Sequence, residues 1–246
     1  MSYIGITGFG SREEVKEVLN FRGTDRQIMI GVLMTEKTLN GFRKNNKPNR
    51  YPEARIIPGI FPKKSRRTLN LIHYSTKNKD NLIQGLLTIS KLVGNNLDGF
   101  QLNVPWPKIS SISGYKELYP GNKIVLQVGP TALGALRYDT ALIAQKLKDY
   151  DPFIDYIIFD FSEGNGKVFD VDTATRFLSL AKRIGISSDI VVAGGVNPSN
   201  VMALKPILSK FPNVGIDAES GLRNQKDFLD ISKVNDYLSN AVKILG

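Results

Sequence analysis

Apolar runs and amphipathic runs alternate along the whole chain of 246 residues. The apolar runs are rich in β-branched and aromatic residues, which favours strands. Between them, apolar residues recur at helical spacing, as at Leu82, Leu86 and Ile89, which predicts helices that bury one face. The predicted strands are Tyr3–Thr7, Gln27–Met34, Leu69–Tyr74, Gly99–Asn103, Ile124–Val128, Tyr156–Asp160, Ile190–Ala193 and Val214–Asp217.

Helices fill the segments between these strands. Ser11 followed by Glu14 is typical of a capping box at the start of the first helix. Unbroken strand–helix alternation predicts parallel strands joined by helical crossovers. Eight such units in this length favour a closed (β/α)8 barrel, the TIM barrel, and we expect residues 1–246 to form one such domain. The predicted helices lie near Glu13–Leu19, Asp80–Val93, Gly114–Leu118, Tyr138–Leu147, Asp172–Arg183, Pro198–Ser209 and Gln225–Leu245.

One connection departs from this pattern. The segment Thr35–Arg67 carries turn and breaker pairs, among them Asn40-Gly41 and Pro58-Gly59, where the second helix would otherwise lie. We expect a long irregular loop there. In a barrel this loop follows the carboxyl end of the second strand, on the face where active sites are found.

Composition excludes several kinds of site. The chain has no Cys and a single His, His73, which excludes disulfides, a cysteine nucleophile, thiolate metal sites and multi-histidine metal sites. We expect neither a metal nor a cofactor. No apolar run approaches the roughly 20 residues that span a bilayer. The first residues lack the features of a secretory signal, and the expectation is a cytoplasmic protein without membrane contact.

The positive charge is concentrated in one segment. The net charge is +10, and the stretch from Lys37 to Lys79 holds twelve Lys and Arg residues against a single acid, Glu53. Such a field attracts anions, whether phosphates, nucleic acid or acidic lipid. The segment has few aromatic residues to stack on bases and no RNA-binding signature. A nucleic-acid partner is therefore left open, beside the simpler interpretation of a solvated surface loop.

Two glycine motifs near the end of the chain indicate an anion site. Gly194 and Gly195 follow the seventh predicted strand and precede a helix expected to begin at Pro198, while Ser220 and Gly221 follow the eighth. Barrels often bind a substrate phosphate with these two loops, through main-chain amides and hydroxyl groups. The alternative is that the glycines only provide tight turns.

These motifs, taken in order, resemble those of phosphoribosylanthranilate isomerase, a barrel enzyme of the tryptophan pathway. The resemblance implies a barrel of the ribulose-phosphate-binding type, a phosphorylated small-molecule ligand, and an Amadori rearrangement of a phosphoribosyl-amine. The matching segments are Gly5–Thr7, Gly99–Leu102, Ile158–Asp160 with Gly164–Asp170, Ala193–Val201 and Gly215–Gly221.

The chain departs from the family pattern at several points. In the family a cysteine immediately precedes the first-strand Gly-Ile-Thr and serves as general base, whereas Ile4 stands there in this chain. The family's Gln-Leu-His-Gly after the fourth strand is Gln101-Leu-Asn-Val104. Glu219 stands where the family has a small or neutral residue, and Arg223 stands in place of an acid.

The rearrangement needs an acid that opens the sugar ring and a base that removes the C2 proton. The resemblance assigns the acid to Asp160. Candidates for a substitute base are His73, Glu36 and Glu219, and Asp217 is expected to be structural. The alternative for His73 is a hydrogen-bonded residue at the rim, and for Asp160 a carboxylate that holds loop amides.

The remaining expectations concern the ligand and the kind of protein. We expect Gly194, Gly195, Ser220, Gly221, Gln101 and His73 to bind substrate. Arg43, Arg50 or Arg55 could contact a ligand carboxylate from the long loop. Three hypotheses compete: an active isomerase with a substitute base, a diverged enzyme acting on another sugar phosphate, and a catalytically silent binding or scaffold protein. The oligomeric state is not predicted.

Overall fold

A computed structural model of the chain describes residues 2–42, 47, 49–160 and 171–245. In these ranges eight parallel strands close into a barrel in sequence order, because β1 pairs with both β2 and β8. The predicted (β/α)8 barrel is thus confirmed. The strands are β1 (Ile4–Thr7), β2 (Ile28–Thr35), β3 (Thr68–Ser75), β4 (Gly99–Leu102), β5 (Lys123–Val128), β6 (Tyr156–Asp160), β7 (Asp189–Ala193) and β8 (Gly215–Ala218).

Helices follow the strands around the outside of the barrel. The first of them begins with the predicted capping box, in which Ser11 Oγ accepts from the Glu14 amide and Glu14 Oε2 accepts from the Ser11 amide. No helix in the described ranges has both the length and the apolar character needed to cross a membrane. The helices are α1 (Arg12–Leu19), α2 (Glu36–Leu39), α3 (Ile57–Ile60), α4 (Leu82–Val93), α5 (Ile109–Leu118), α6 (Pro130–Ala135), α7 (Thr140–Tyr150), α8 (Val171–Ile184), α9 (Lys205–Lys210) and α10 (Ile231–Leu245).

The strands bury side chains on both faces, and this produces two apolar cores. The outer core lies between the strands and the helices and includes Ile4 and Ile6 of β1 together with Val15 of α1. The inner core fills the lumen toward the amino ends of the strands. The polar side chains that face the lumen lie beyond it, toward the carboxyl ends of the strands. The inner core consists of Tyr3, Met29, Leu69, Leu71, Val125, Tyr156, Ile158, Val191 and Ala193.

Some helix boundaries differ from the sequence expectation. No helix begins at Pro198: residues 198–200 form a turn, and a 3-10 segment, Val201–Leu204, leads into α9. The last helix begins at Ile231 rather than Gln225, because the Asn224 side chain accepts from the amides of two following residues and holds a turn. Helix α6 was not predicted from the sequence.

The connection after β2 contains two single-turn helices, α2 and α3. Residues 43–46 and 48 lie outside the described residues. The long irregular loop over Thr35–Arg67 therefore stays a prediction. The described part of this segment includes the two short helices α2 and α3.

Asp155, just before β6, ties β5 and β6 together with its carboxylate. It accepts from Lys116 Nζ at 2.9 Å, Lys123 Nζ at 2.8 Å and the Ile124 amide at 2.9 Å. Burial opposes ionisation of Asp155, but these donors outweigh it and lower its pKa. A lowered pKa in the folded state stabilises the fold above the pKa of the unfolded chain, near 3.9.

Asp155→Asn should therefore reduce the free energy of unfolding at pH 7 by about 1–3 kcal/mol, measured by urea denaturation. The difference from the unmodified chain should shrink as the pH falls below about 4, where the native carboxylate also becomes protonated. Asp236→Asn, on the exposed face of α10, is the control. An equal loss of stability at pH 7 and pH 3 would contradict this account.

Candidate functional site

A cavity opens at the carboxyl end of the barrel. It brings together most of the residues that the sequence analysis selected, from strands far apart in the chain. Gly221, which was expected to bind substrate, does not line it. The lining residues are His73, Gln101, Asp160, Ala193, Gly194, Gly195, Asp217, Ala218, Glu219 and Ser220.

The loops after β7 and β8 form one side of this cavity. Gly194 and Gly195 have φ angles of +99° and +73°, a left-handed conformation that favours glycine. Gly221 has a different reason to be glycine. A Cβ there would lie 2.4 Å from the Val196 carbonyl oxygen, so Gly221 lets the two loops pack against each other.

Asp160 lies at the carboxyl end of β6, in register with Ala193 of the neighbouring strand β7. Its Oδ2 accepts a 3.0 Å hydrogen bond from Gln127 Nε2, and Gln127 Oε1 accepts from Gln101 Nε2 at 3.3 Å. Gln101 therefore acts on Asp160 through Gln127, which the sequence analysis did not select. A glutamine inside an apolar strand was the available signal.

His73 is buried beside two carboxylates. Burial lowers its pKa, although the charges of Glu219 and Asp160 act in the opposite direction. Within the described part of the chain, Nδ1 of His73 has no hydrogen-bond partner. Burial thus favours the neutral form of the imidazole at the cavity wall. No group of three or more acidic or histidine side chains in the described ranges could hold a metal ion.

Asp217 also lines the cavity, although the sequence analysis expected it to be only structural. Both its carboxylate oxygens lie within hydrogen-bond distance of Thr7 Oγ1, at 3.2 and 3.1 Å. Gly5 is in register with Asp217 and leaves room for it, since a Cβ there would lie 2.5 Å from Oδ1. Burial raises the pKa of Asp217 well above its usual value; Thr7 opposes this, and the charges of Glu219 and Asp160 add to it.

The orientation of β1 bears on the missing cysteine. Side chains alternate along a strand, so Gly5 and Thr7 face the lumen while Ile4 packs under the helices. A side chain at position 4 therefore does not reach the cavity. The equivalence of Ile4 with the family's cysteine stays a prediction from the motif.

Arg50 joins the connection after β2 to the loop after β8. Its guanidinium pairs with Glu219 at 2.8 Å and Asp227 at 2.7 Å, and it donates to Ser220 Oγ at 3.1 Å. Burial lowers the pKa of Arg50, but these carboxylates outweigh it and raise the pKa overall. Arg223, in the same loop, donates to the Gly8 carbonyl and ties β1 to this assembly.

Other predicted residues lie elsewhere. Glu36 accepts from Thr76 Oγ1 at 2.6 Å and does not line the cavity, so the structure does not support it as a base. Arg55 is largely exposed and pairs with Glu53. Arg43 and the segment Gly164–Asp170 lie outside the described residues.

The described residues of the basic segment lie at both ends of the barrel. Arg50 lies at the carboxyl end of the barrel, whereas Lys64 pairs with Asp98 and Arg67 donates to Phe21 at the amino end. A nucleic-acid partner stays a prediction.

No family model matches the chain. It is 33% identical over 106 residues to N-(5′-phosphoribosyl)anthranilate isomerase of Methanococcus aeolicus, covering 40% of this chain and 46% of that protein. It is 25% identical over 139 residues to N-(5′-phosphoribosyl)anthranilate isomerase 2 of Methanosarcina mazei, covering 54% and 55%. The matched region thus spans about half the length of these curated relatives.

Solved structures of the same enzyme superpose on nearly the whole barrel. Phosphoribosylanthranilate isomerase from Thermotoga maritima gives a TM-score of 0.68 at 17% identity, covering 98% of both chains. The chain therefore has the barrel fold of this isomerase. A second such isomerase, in complex with reduced 1-(o-carboxyphenylamino)-1-deoxyribulose 5-phosphate, gives 0.66 at 15% identity and 98% coverage of both chains. At these identities the likeness extends to the fold alone.

The bridge made by Arg50 gives this isomerase-like barrel a testable property. Arg50→Met should leave Glu219 and Asp227 without their cation, lower the free energy of unfolding by about 1–3 kcal/mol and speed amide hydrogen exchange over residues 219–230. Arg55→Met, in the same connection but 77% exposed, is the matched control. Unchanged exchange in Arg50→Met would show that the bridge does not hold the loop.

Proposed function

We propose that this protein isomerises a phosphorylated sugar-derived amine of the N-(5′-phosphoribosyl)anthranilate type. The observation that carries the proposal is the cavity itself. Its lining includes the glycine-rich loops after β7 and β8 and, from the neighbouring strand β6, the Asp160 carboxyl group. The names of the curated relatives support the substrate class, as does the phosphorylated ligand of the isomerase structure described above.

The loops after β7 and β8 would bind the phosphate. Left-handed backbone at Gly194 and Gly195 turns the chain at the cavity wall, where main-chain amides can approach an anion closely. Ser220 adds a hydroxyl group. Glu219 would repel a phosphate, but its pairing with Arg50 offsets that charge. Gly221 supports the site by allowing contact between the loops.

Asp160 would be the acid. In its protonated form it donates to the ring oxygen of the bound aminoaldose, which opens the ring. The chain of amides from Gln101 through Gln127 orients this carboxyl group. Gln101 is therefore assigned a positioning role. The imidazole of His73, in its neutral form, would form part of the cavity wall next to the substrate.

A phosphate-dependent ligand should stabilise the protein. Reduced 1-(o-carboxyphenylamino)-1-deoxyribulose 5-phosphate should raise the Tm, and the same compound without its phosphate should not. Gly195→Ala should abolish the shift, because a side chain there strains a backbone with φ +73°. Gly185→Ala is the matched control, since φ is +72° in a turn remote from the cavity. Equal shifts with both compounds would contradict a phosphate site.

Asp160→Asn should lower the rate of isomerisation of N-(5′-phosphoribosyl)anthranilate by about 10²–10⁴-fold, because the ring oxygen loses its proton donor. The reduced analogue should still bind. Growth of a tryptophan auxotroph that lacks this isomerase is a second measurement, with the exposed Asp236→Asn as control. Retained rescue by Asp160→Asn would remove it from the mechanism. Binding without isomerisation by the unmodified chain would favour a silent binding protein.

A further inference from the structure

We propose that Asp217 is the general base of this isomerisation, held in place by Thr7. The inference rests on the proposed function and names the group that stands in for the absent cysteine. Asp217 reaches the cavity from β8, and it is 5% exposed.

The surroundings of Asp217 are those of an oriented base. A catalytic base is normally held by a third group, and the Thr7 hydroxyl lies 3.2 and 3.1 Å from the two carboxylate oxygens. Gly5 supplies the space on β1 that this pair occupies. Thr7 and Asp217 can therefore lie in direct contact between β1 and β8.

Asp217 and the proposed acid, Asp160, lie on the two strands that flank β7. Asp160 is on β6 and Asp217 on β8, and the strand between them presents only the methyl group of Ala193 to the cavity. A sugar carbon can lie over that methyl group with one carboxyl on each side. Each proton transfer then has its own group.

The other candidates are less suited to this role. Glu219 is engaged by Arg50 at 2.8 Å, which holds its carboxylate toward the loop after β8. His73 is buried with Nδ1 unpartnered among the described residues, so no neighbour on that nitrogen orients the ring.

The step balances without any oxidant or further reactant. Asp160 gives its proton to the ring oxygen as the C1–O bond breaks and the nitrogen lone pair forms C1=N. Asp217 then takes the C2 proton; the C2–H electron pair becomes the C1–C2 double bond, and the C1=N pair returns to nitrogen. Proton addition at C1 and loss of the C2 hydroxyl proton give the aminoketose and restore both carboxyl groups.

The base must be ionised, so its pKa sets the acidic limb of the pH profile. The ionisable groups that act on Asp217 are Glu219 just after β8, Asp160 on β6, Tyr3 just before β1 and Tyr237 on α10. The Thr7 hydroxyl stabilises the ionised form. Removing that hydroxyl should raise the pKa of Asp217 further and move the acidic limb of kcat/KM to higher pH.

The test uses the full chain and four variants. Asp217→Asn should lose isomerisation of N-(5′-phosphoribosyl)anthranilate by about 10²–10⁴-fold, and should lose incorporation of solvent deuterium into the product, while binding the reduced analogue. Thr7→Val should keep activity with its acidic limb displaced to higher pH. Thr7→Ser keeps the hydroxyl and should restore the original profile. Glu36→Gln, at a carboxylate that lies outside the cavity, is the control and should retain deuterium incorporation.

The outcomes separate this proposal from the proposed function. Binding of the analogue together with deuterium incorporation that persists in Asp217→Asn overturns Asp217 as the base but leaves the ligand class standing. Binding without any proton exchange in the unmodified chain also overturns it. An acidic limb that Thr7→Val leaves unmoved does the same. Failure of the unmodified chain to bind the analogue overturns the proposed function, and the base assignment with it.

Discussion

Each strand of the barrel presents every second side chain to the lumen, and this alternation determines which residues can take part in chemistry. A shift of one residue in any strand would turn its lumen-facing side chains outward and bring its outward-facing side chains into the lumen. In β1 the register places Thr7 in the cavity and Ile4 under the helices. The apolar side chains below then exclude water from the base of the lumen, and burial accordingly shifts the pKa values of Asp217 and His73.

The strands could be predicted from sequence because each is a short run of β-branched and aromatic residues between turn signals. All eight predicted strands begin and end within one residue of the observed bounds. What the runs do not reveal is which side chains face inward. A strand of a parallel barrel is buried on both faces, so Ile4 and Ile6 look the same as lumen residues in the sequence.

The site was predictable only in part, for a related reason. Asp160, Gly194 and Gly195 follow strands directly, and the barrel brings such positions together. The role of Asp217 depends on its contact with Thr7, and that of Arg50 on its contact with Glu219. Gly221 is equally consistent with anion binding and with close packing until the Val196 carbonyl is placed beside it.

The pairing of Thr7 with Asp217 has a consequence for biosynthesis. These residues are 210 positions apart, and Arg50 and Glu219 are separated by 169. During synthesis from the amino terminus, the earlier strands leave the ribosome well before β8. The carboxyl end of the lumen is consequently the last part to be completed. A nascent chain that stops short of β8 has an open sheet edge and lacks the contact between Thr7 and Asp217.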